Sequence, residues 1–67
     1  MTKAEKIEGI RRFRYEIMHQ CQTKEEAVTL SKRLDEFCKI NDVDDLTCIQ
    51  ALDGAGESLY MMMTAPD

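Results

Sequence analysis

Two Thr-x-x-Glu tetrads, Thr2-Lys3-Ala4-Glu5 and Thr23-Lys24-Glu25-Glu26, divide residues 1–41 into two helical runs. In such a box the threonine hydroxyl accepts from the amide three residues on, while the glutamate reaches back to the cap amide. The second start forces the chain to break near Gln22-Thr23 and begin again. Behind the first box, Ile7, Ile10, Ile17 and Cys21 recur at three- and four-residue intervals or their sums, with Phe13 and Met18 widening the stripe. Behind the second, Ala27, Leu30, Leu34, Phe37 and Cys38 repeat likewise, and the pattern fades by Asn41-Asp42. At about 100° per residue, each set lies on one helix face. Gly9 interrupts the first helix at a cost of about 1 kcal/mol relative to alanine, which the flanking pattern tolerates.

Two amphipathic helices of similar length, about 3–21 and 24–40, joined by a short connection, predict an all-α fold. Its form is an antiparallel two-helix hairpin over 1–41 with a partly ordered acidic tail over 42–67. Neither helix buries its stripe alone, and two helices shield each other only partly. Either a second copy completes a four-helix bundle, or the tail lies across the open face. With 67 residues, 43 % hydrophobic and no tryptophan, the chain has material for a thin core, so a partner is the first expectation. The same arithmetic excludes a self-contained enzyme with a deep, dry pocket.

Charge is unevenly spread. Residues 1–22 are net +2, residues 23–41 neutral and residues 42–67 net −6, giving −4 overall. In the tail, Asp44 is expected to cap a short helix over 45–52 that Gly54 and Gly56 stop, with mobility beyond Leu52 and a frayed end at 64–67. Leu59-Tyr60-Met61-Met62-Met63 is too short to span or firmly anchor in a membrane. The Asp42/Asp44/Asp45 cluster lacks the glycine and distant glutamate of an EF-hand loop, so it reads as a solvated acidic stretch and no metal site is expected. Lys3, Lys6, Arg11, Arg12 and Arg14 spread around the first helix with no aromatic platform, so a nucleic-acid partner is not expected. Cys21, Cys38 and Cys48 form no CxxC pair, and His19 is the single histidine, so reduced structural thiols are expected. Met1–Lys6 has no signal-like apolar run, and the expected location is the cytoplasm.

One polar strip runs beside the core stripe of the second helix. With Leu34 at the stripe centre, Ser31 lies about 60° and Asp35 about 100° to one side, and Val28, Lys32 and Lys39 share that flank. In an antiparallel pair the flank of Arg11, Tyr15 and Met18 falls on the same side of the hairpin. Asp35 is therefore expected level with Ile10-Arg11 and close to Arg11 or Arg14. An exposed ion pair there is worth about 0–1 kcal/mol. Ser31 has no adjacent histidine to activate it, and His19 lies on the outer side of its helix.

The segment Ser31-Lys32-Arg33-Leu34-Asp35, with Leu30 before it and Phe37 after, resembles the Ser-Gln-Glu-Leu-Asp signature of the stage-zero sporulation protein E family. Ile7-Glu8-Gly9-Ile10-Arg11 is similar to that family's Ile-Glu-x-Leu-Arg opening, and the resemblance covers roughly residues 4–41. The family consists of small helical-hairpin aspartyl-phosphate phosphatases of spore-forming bacilli. The resemblance implies a phosphatase acting on the phosphorylated receiver domain of the sporulation response regulator, stage-zero sporulation protein A, and so opposing sporulation. It maps the catalytic aspartate onto Asp35 and the signature serine onto Ser31. Lys32, Val28, Lys39 and Arg11 complete the partner-binding face. No cofactor of its own is implied; Mg²⁺ belongs to the partner's receiver site. The departure is Lys32-Arg33 where the family has Gln-Glu, since a lysine has no acceptor with which to hold water. The competing reading is a non-catalytic, dimeric helical module that binds and sequesters a partner.

Overall fold

The computed structural model of the chain describes residues 1–66, all-helical and with no strand among them. The helices are α1 (Lys3–His19), α2 (Lys24–Ile40), α3 (Asp45–Leu52) and α4 (Ala55–Thr64). At the start of α1 the capping box is complete: the Glu5 amide donates to Thr2 Oγ1 at 3.2 Å and the Thr2 amide to Glu5 Oε1 at 3.0 Å. The start of α2 is half of one. Thr23 Oγ1 accepts from the Glu26 amide at 3.1 Å, but the Glu26 carboxylate takes the Thr23 hydroxyl at 3.0 Å. At the end of α1 the Glu16 carbonyl accepts from the amides of both Gln20 and Cys21, each at 2.9 Å. The helix therefore ends at His19, short of the expected Cys21.

The antiparallel register of α1 and α2 is set by aromatic and guanidinium contacts. The rings of Phe13 and Phe37 meet edge-on, 5.7 Å between centroids, and the Arg33 guanidinium lies 5.5 Å from the Phe13 ring centre. Arg33 also pairs with Glu16 at 3.4 Å. A Cβ at Gly9 would clash with the tip of the Phe37 ring, overlapping Cζ and lying 2.9 Å from Cε2. Gly9 is thus where α2 seats a ring on the backbone of α1, a close approach that outweighs its helix-propensity cost.

The tail departs from expectation. α3 forms over the expected residues, but the chain does not lose order beyond Leu52: Asp53 (φ 47°) and Gly54 (φ 84°) make a left-handed elbow, and α4 follows. The physical reason is burial. Leu52, Ala55 and Leu59 lie in the core with Ile10 and Ile17 of α1 and Ala27, Leu30 and Leu34 of α2. Burying each leucine is worth about 1.5–3 kcal/mol. Thr64 is the last residue of α4, its hydroxyl donating to the Tyr60 carbonyl at 2.9 Å; Asp67, at the expected frayed end, lies outside the described residues.

Polar contacts place the two ends of the tail. Lys6 Nζ donates to the Asp42 carbonyl at 3.1 Å, so α3 begins beside the first turns of α1. Lys24 Nζ donates to the Ala65 carbonyl at 3.2 Å, so α4 ends beside the start of α2. Together α3 and α4 make one broken rod, parallel to α1 and antiparallel to α2, in a molecule of 39 × 18 × 18 Å. The two-helix hairpin with a partly ordered tail is therefore corrected to a three-rod bundle of four helices. The open face is covered within one chain, and a second copy is not required to bury it.

Two substitutions probe this frame. Gly9→Ala, stabilising by propensity alone, is expected to destabilise by about 1–3 kcal/mol in urea unfolding, because the added methyl overpacks against Phe37. Much of that loss should disappear in a Phe37→Leu background. Asp42 sits at φ 53° just beyond α2, where the Val43 amide donates to the Cys38 carbonyl at 2.9 Å in a Schellman closure. Asp42→Gly is expected to raise stability by about 1 kcal/mol in the same measurement, since glycine adopts that φ without strain.

Candidate functional site

The two flanks of α2 have different neighbours. Phe37 and Arg33 turn one flank to α1. Lys24 and Cys38, on the other, meet the tail: Lys24 at Ala65 and Cys38 at Cys48 of α3. Ser31 and Asp35 share that second flank by helical angle. The tail splits the strip expected from the sequence. Val28 and Ser31 are half-buried, whereas Lys32, Asp35 and Lys39 are exposed.

Asp35 stands near the middle of α2 with Lys32 at i−3 and Lys39 at i+4. Its carboxylate forms no hydrogen bond or ion pair among the described residues. The expected approach of Arg11 or Arg14 does not occur. Arg11 pairs instead with Glu8 on its own helix at 4.0 Å, and Arg14 is half-buried. The expected level is right, because Phe37 sits against Gly9 and Phe13. The lateral distance is what differs: α3 and α4 occupy the space between the Arg11 flank of α1 and the Asp35 flank of α2.

The tail brings to this flank residues that the sequence had not joined to it. Cys38, one turn beyond Asp35, lies within the electrostatic reach of Cys48 and Asp45 of α3 and of Asp35 on its own helix. Burial, then the Cys48 contact and the two carboxylates, push the Cys38 thiol up to about 12. Burial and, less strongly, Glu26 raise the Cys21 thiol at the other end of the hairpin. No sequence signal pairs Cys38 with Cys48; the position of α3 does. His19 lies exposed on the outer side of α1, its ring 4.6 Å from that of Tyr15.

Concavity lies elsewhere. Glu16, Glu25, Glu26 and Arg33 line an open groove between α1 and α2, and Gly9, Phe13 and Phe37 line a smaller one beside it; neither includes Asp35. The Asp42/Asp44/Asp45 cluster serves as helix punctuation. Asp42 supplies the left-handed residue after α2, Asp44 Oδ1 accepts from the Thr47 amide at 3.1 Å as the cap of α3, and Asp45 opens its first turn. Among the described residues no group of three His, Cys, Asp or Glu side chains is placed to hold a metal ion. No helix among them is long and apolar enough to cross a membrane. What the flank offers chemically is one exposed acceptor on a rigid helix, between two cations. Comparison with protein-family models, curated proteins and solved structures finds no match to the chain.

Hydrogen bonds from Thr47 hold the Asp44 carboxyl below the ordinary carboxylate range, and bonds from Thr2 do the same for Glu5. The folded chain therefore binds fewer protons at these groups than the unfolded chain. The stabilisation they supply is complete at neutral pH and is lost as pH falls through and below the carboxylate range. Asp44→Ala is expected to lower the melting temperature at pH 7 and to flatten its acid-side decline, measured as melting temperature against pH.

Proposed function

We propose that the chain is a protein aspartyl-phosphate phosphatase that acts on the receiver domain of a response regulator in the cytoplasm. By the resemblance at Ser31–Asp35 that regulator is the sporulation regulator, stage-zero sporulation protein A, whose dephosphorylation opposes sporulation. The observation that carries the reading is the Asp35 carboxylate, exposed on α2, uncommitted among the described residues and flanked in sequence by Lys32 and Lys39.

The chemistry suits a protein without a pocket at this face. An aspartyl phosphate is an activated mixed anhydride, and the receiver domain supplies its own Mg²⁺ and lysine around the phosphoryl group. The helix has one task, to place an acceptor where it orients a water for in-line attack on phosphorus. Attack breaks the phosphorus–oxygen bond to the receiver's carboxylate and releases inorganic phosphate. Asp35 accepts the hydrogen bond of that water, while Lys32 and Lys39 steer the face toward an acidic cleft. Ser31 and Val28 abut the docking strip at its covered edge, and Arg11 acts at the separate α1 surface.

A second reading has its own observation. Leu46 and Ile49 of α3 are 63 % and 66 % exposed, an apolar pair suited to a module that binds and sequesters a regulator without hydrolysing it. The decay of purified phosphorylated regulator separates the two. The phosphatase reading expects the wild-type chain to shorten the phosphoryl lifetime. Asp35→Asn, with unchanged helical circular dichroism, should return it to the spontaneous value, a loss of at least about 100-fold in the added rate. Binding with an unaltered lifetime would establish sequestration, and normal phosphate release by Asp35→Asn would remove Asp35 from the mechanism.

A further inference from the structure

Exposed large apolar side chains gather on one surface of the bundle. Tyr15 and Met18 of α1 are 57 % and 58 % exposed, and Leu46, Ile49, Tyr60 and Met61 of the α3–α4 rod are 62–67 % exposed. Among the described residues α2 exposes no large apolar side chain but its last, Ile40. Helical angle brings the two sets together. With Ile10 at the centre of the buried face of α1, Gly9, Phe13 and Glu16 lie about 60–120° to one side. There they meet Phe37 and Arg33 of α2. Arg11, Tyr15 and Met18 lie about 80–140° to the other side, beside the rod. The two halves of this surface are opposite in charge. Residues 1–22 hold five basic and three acidic groups, whereas residues 42–67 hold six acidic groups and no basic one. Arg11 reaches Glu8 only at 4.0 Å, with both side chains more than half exposed, so the pair scarcely commits it. Glu57 makes no ion pair or hydrogen bond among the described residues.

We infer that this surface docks a second copy of the chain, with α1 of each copy laid against the α3–α4 rod of the other. α1 and the rod run parallel along the length of the bundle. Lys6 ties the start of α3 to the first turns of α1, and Lys24 ties the end of α4 to the turn that follows α1. A two-fold axis along the bundle therefore sets each level of α1 opposite the same level of the other copy's rod. The basic first half of α1 then meets the acidic start of α3, and Tyr15 and Met18 meet the partner's Tyr60 and Met61. Arg11 comes within about one turn of the partner's Glu57. Tyrosine and methionine fill the centre of the contact and the charges lie at its rim. A basic amphipathic helix from another protein would satisfy the rod but leave Arg11, Tyr15 and Met18 uncovered. A second copy covers both halves at once, and the contact closes at two chains. The core needs no second copy, and Asp35, across the rod, stays open, so the inference rests on neither reading of function.

Sedimentation equilibrium of the full-length chain, from roughly 1 µM to 1 mM, tests the contact. The mass is expected to rise to twice that of one chain and no further. Arg11→Glu and Glu57→Lys alter exposed side chains and should leave the helical circular dichroism unchanged. Each puts two like-charge contacts into its own dimer and should raise the dissociation constant at least about tenfold. Mixed in equal amounts, the two variants should pair with near wild-type affinity, because one contact is then native and the other has its charges exchanged. A loss that came from damage to the single chain would not be restored by mixing. A single-chain mass for the wild type throughout the range would overturn the inference and leave the surface to a partner of another sequence. So would a dimer that both substitutions leave intact, or a growing series of masses, which belongs to an open head-to-tail contact. The wild-type masses decide the matter even where a variant fails to fold.

Discussion

Burial of Leu52, Ala55 and Leu59 against the joint stripe of α1 and α2 is the contact on which the rest of the structure depends. A hairpin leaves the third side of its apolar seam open to water, and here that side is closed by α3 and α4, whose outer faces carry the acidic Asp45 and Glu57 beside the exposed apolar Leu46, Ile49, Tyr60 and Met61. The closure has an electrostatic companion. Lys6 holds the Asp42 carbonyl and Lys3 contributes to the field at Asp44, so the basic start of α1 and the acidic start of α3 are drawn to the same end of the bundle. The segment charges that seemed to describe two unlike halves of a chain describe two surfaces that meet.

That closure determines what the α2 flank can do. With α4 laid along it, Val28 and Ser31 withdraw and the polar strip narrows to Lys32, Asp35 and Lys39. Arg11 is left on the far side of the inserted rod, engaged with Glu8. A carboxylate so placed lacks the expected cross-helix partner on α1 but keeps its exposure, which is the condition a positioning role on another protein's surface requires. The tail also brings α3 to the flank, with Asp45 and Cys48 set around Cys38.

Particular residues show how far local pattern reaches. Thr2, Thr23 and Asp44 announce helix starts because a cap is satisfied by residues two or three positions away, and all three cap as their neighbours dictate. Ile10, Ile17, Leu30 and Leu34 announce the core because helical period alone brings them to one face. Gly9 is legible as a glycine in a helix but not as a seat for Phe37, since the ring arrives from a residue 28 positions away. Ala55 and Leu59 sit behind an Asp-Gly elbow that resembles an end of order. Only the apolar surface awaiting them makes a helix of that segment.

The sequence by itself determined the helical class, the caps, the two long amphipathic stripes and the presence of a lone aspartate on a helix flank. Each of these follows from hydrogen bonds and periodicity within a few residues. Tertiary structure alone decided that the tail becomes a third rod, that Arg11 and Asp35 are kept apart, and that Cys38 meets Cys48. These depend on which apolar face remains uncovered once the hairpin has formed, a quantity that belongs to the packed chain and to none of its segments.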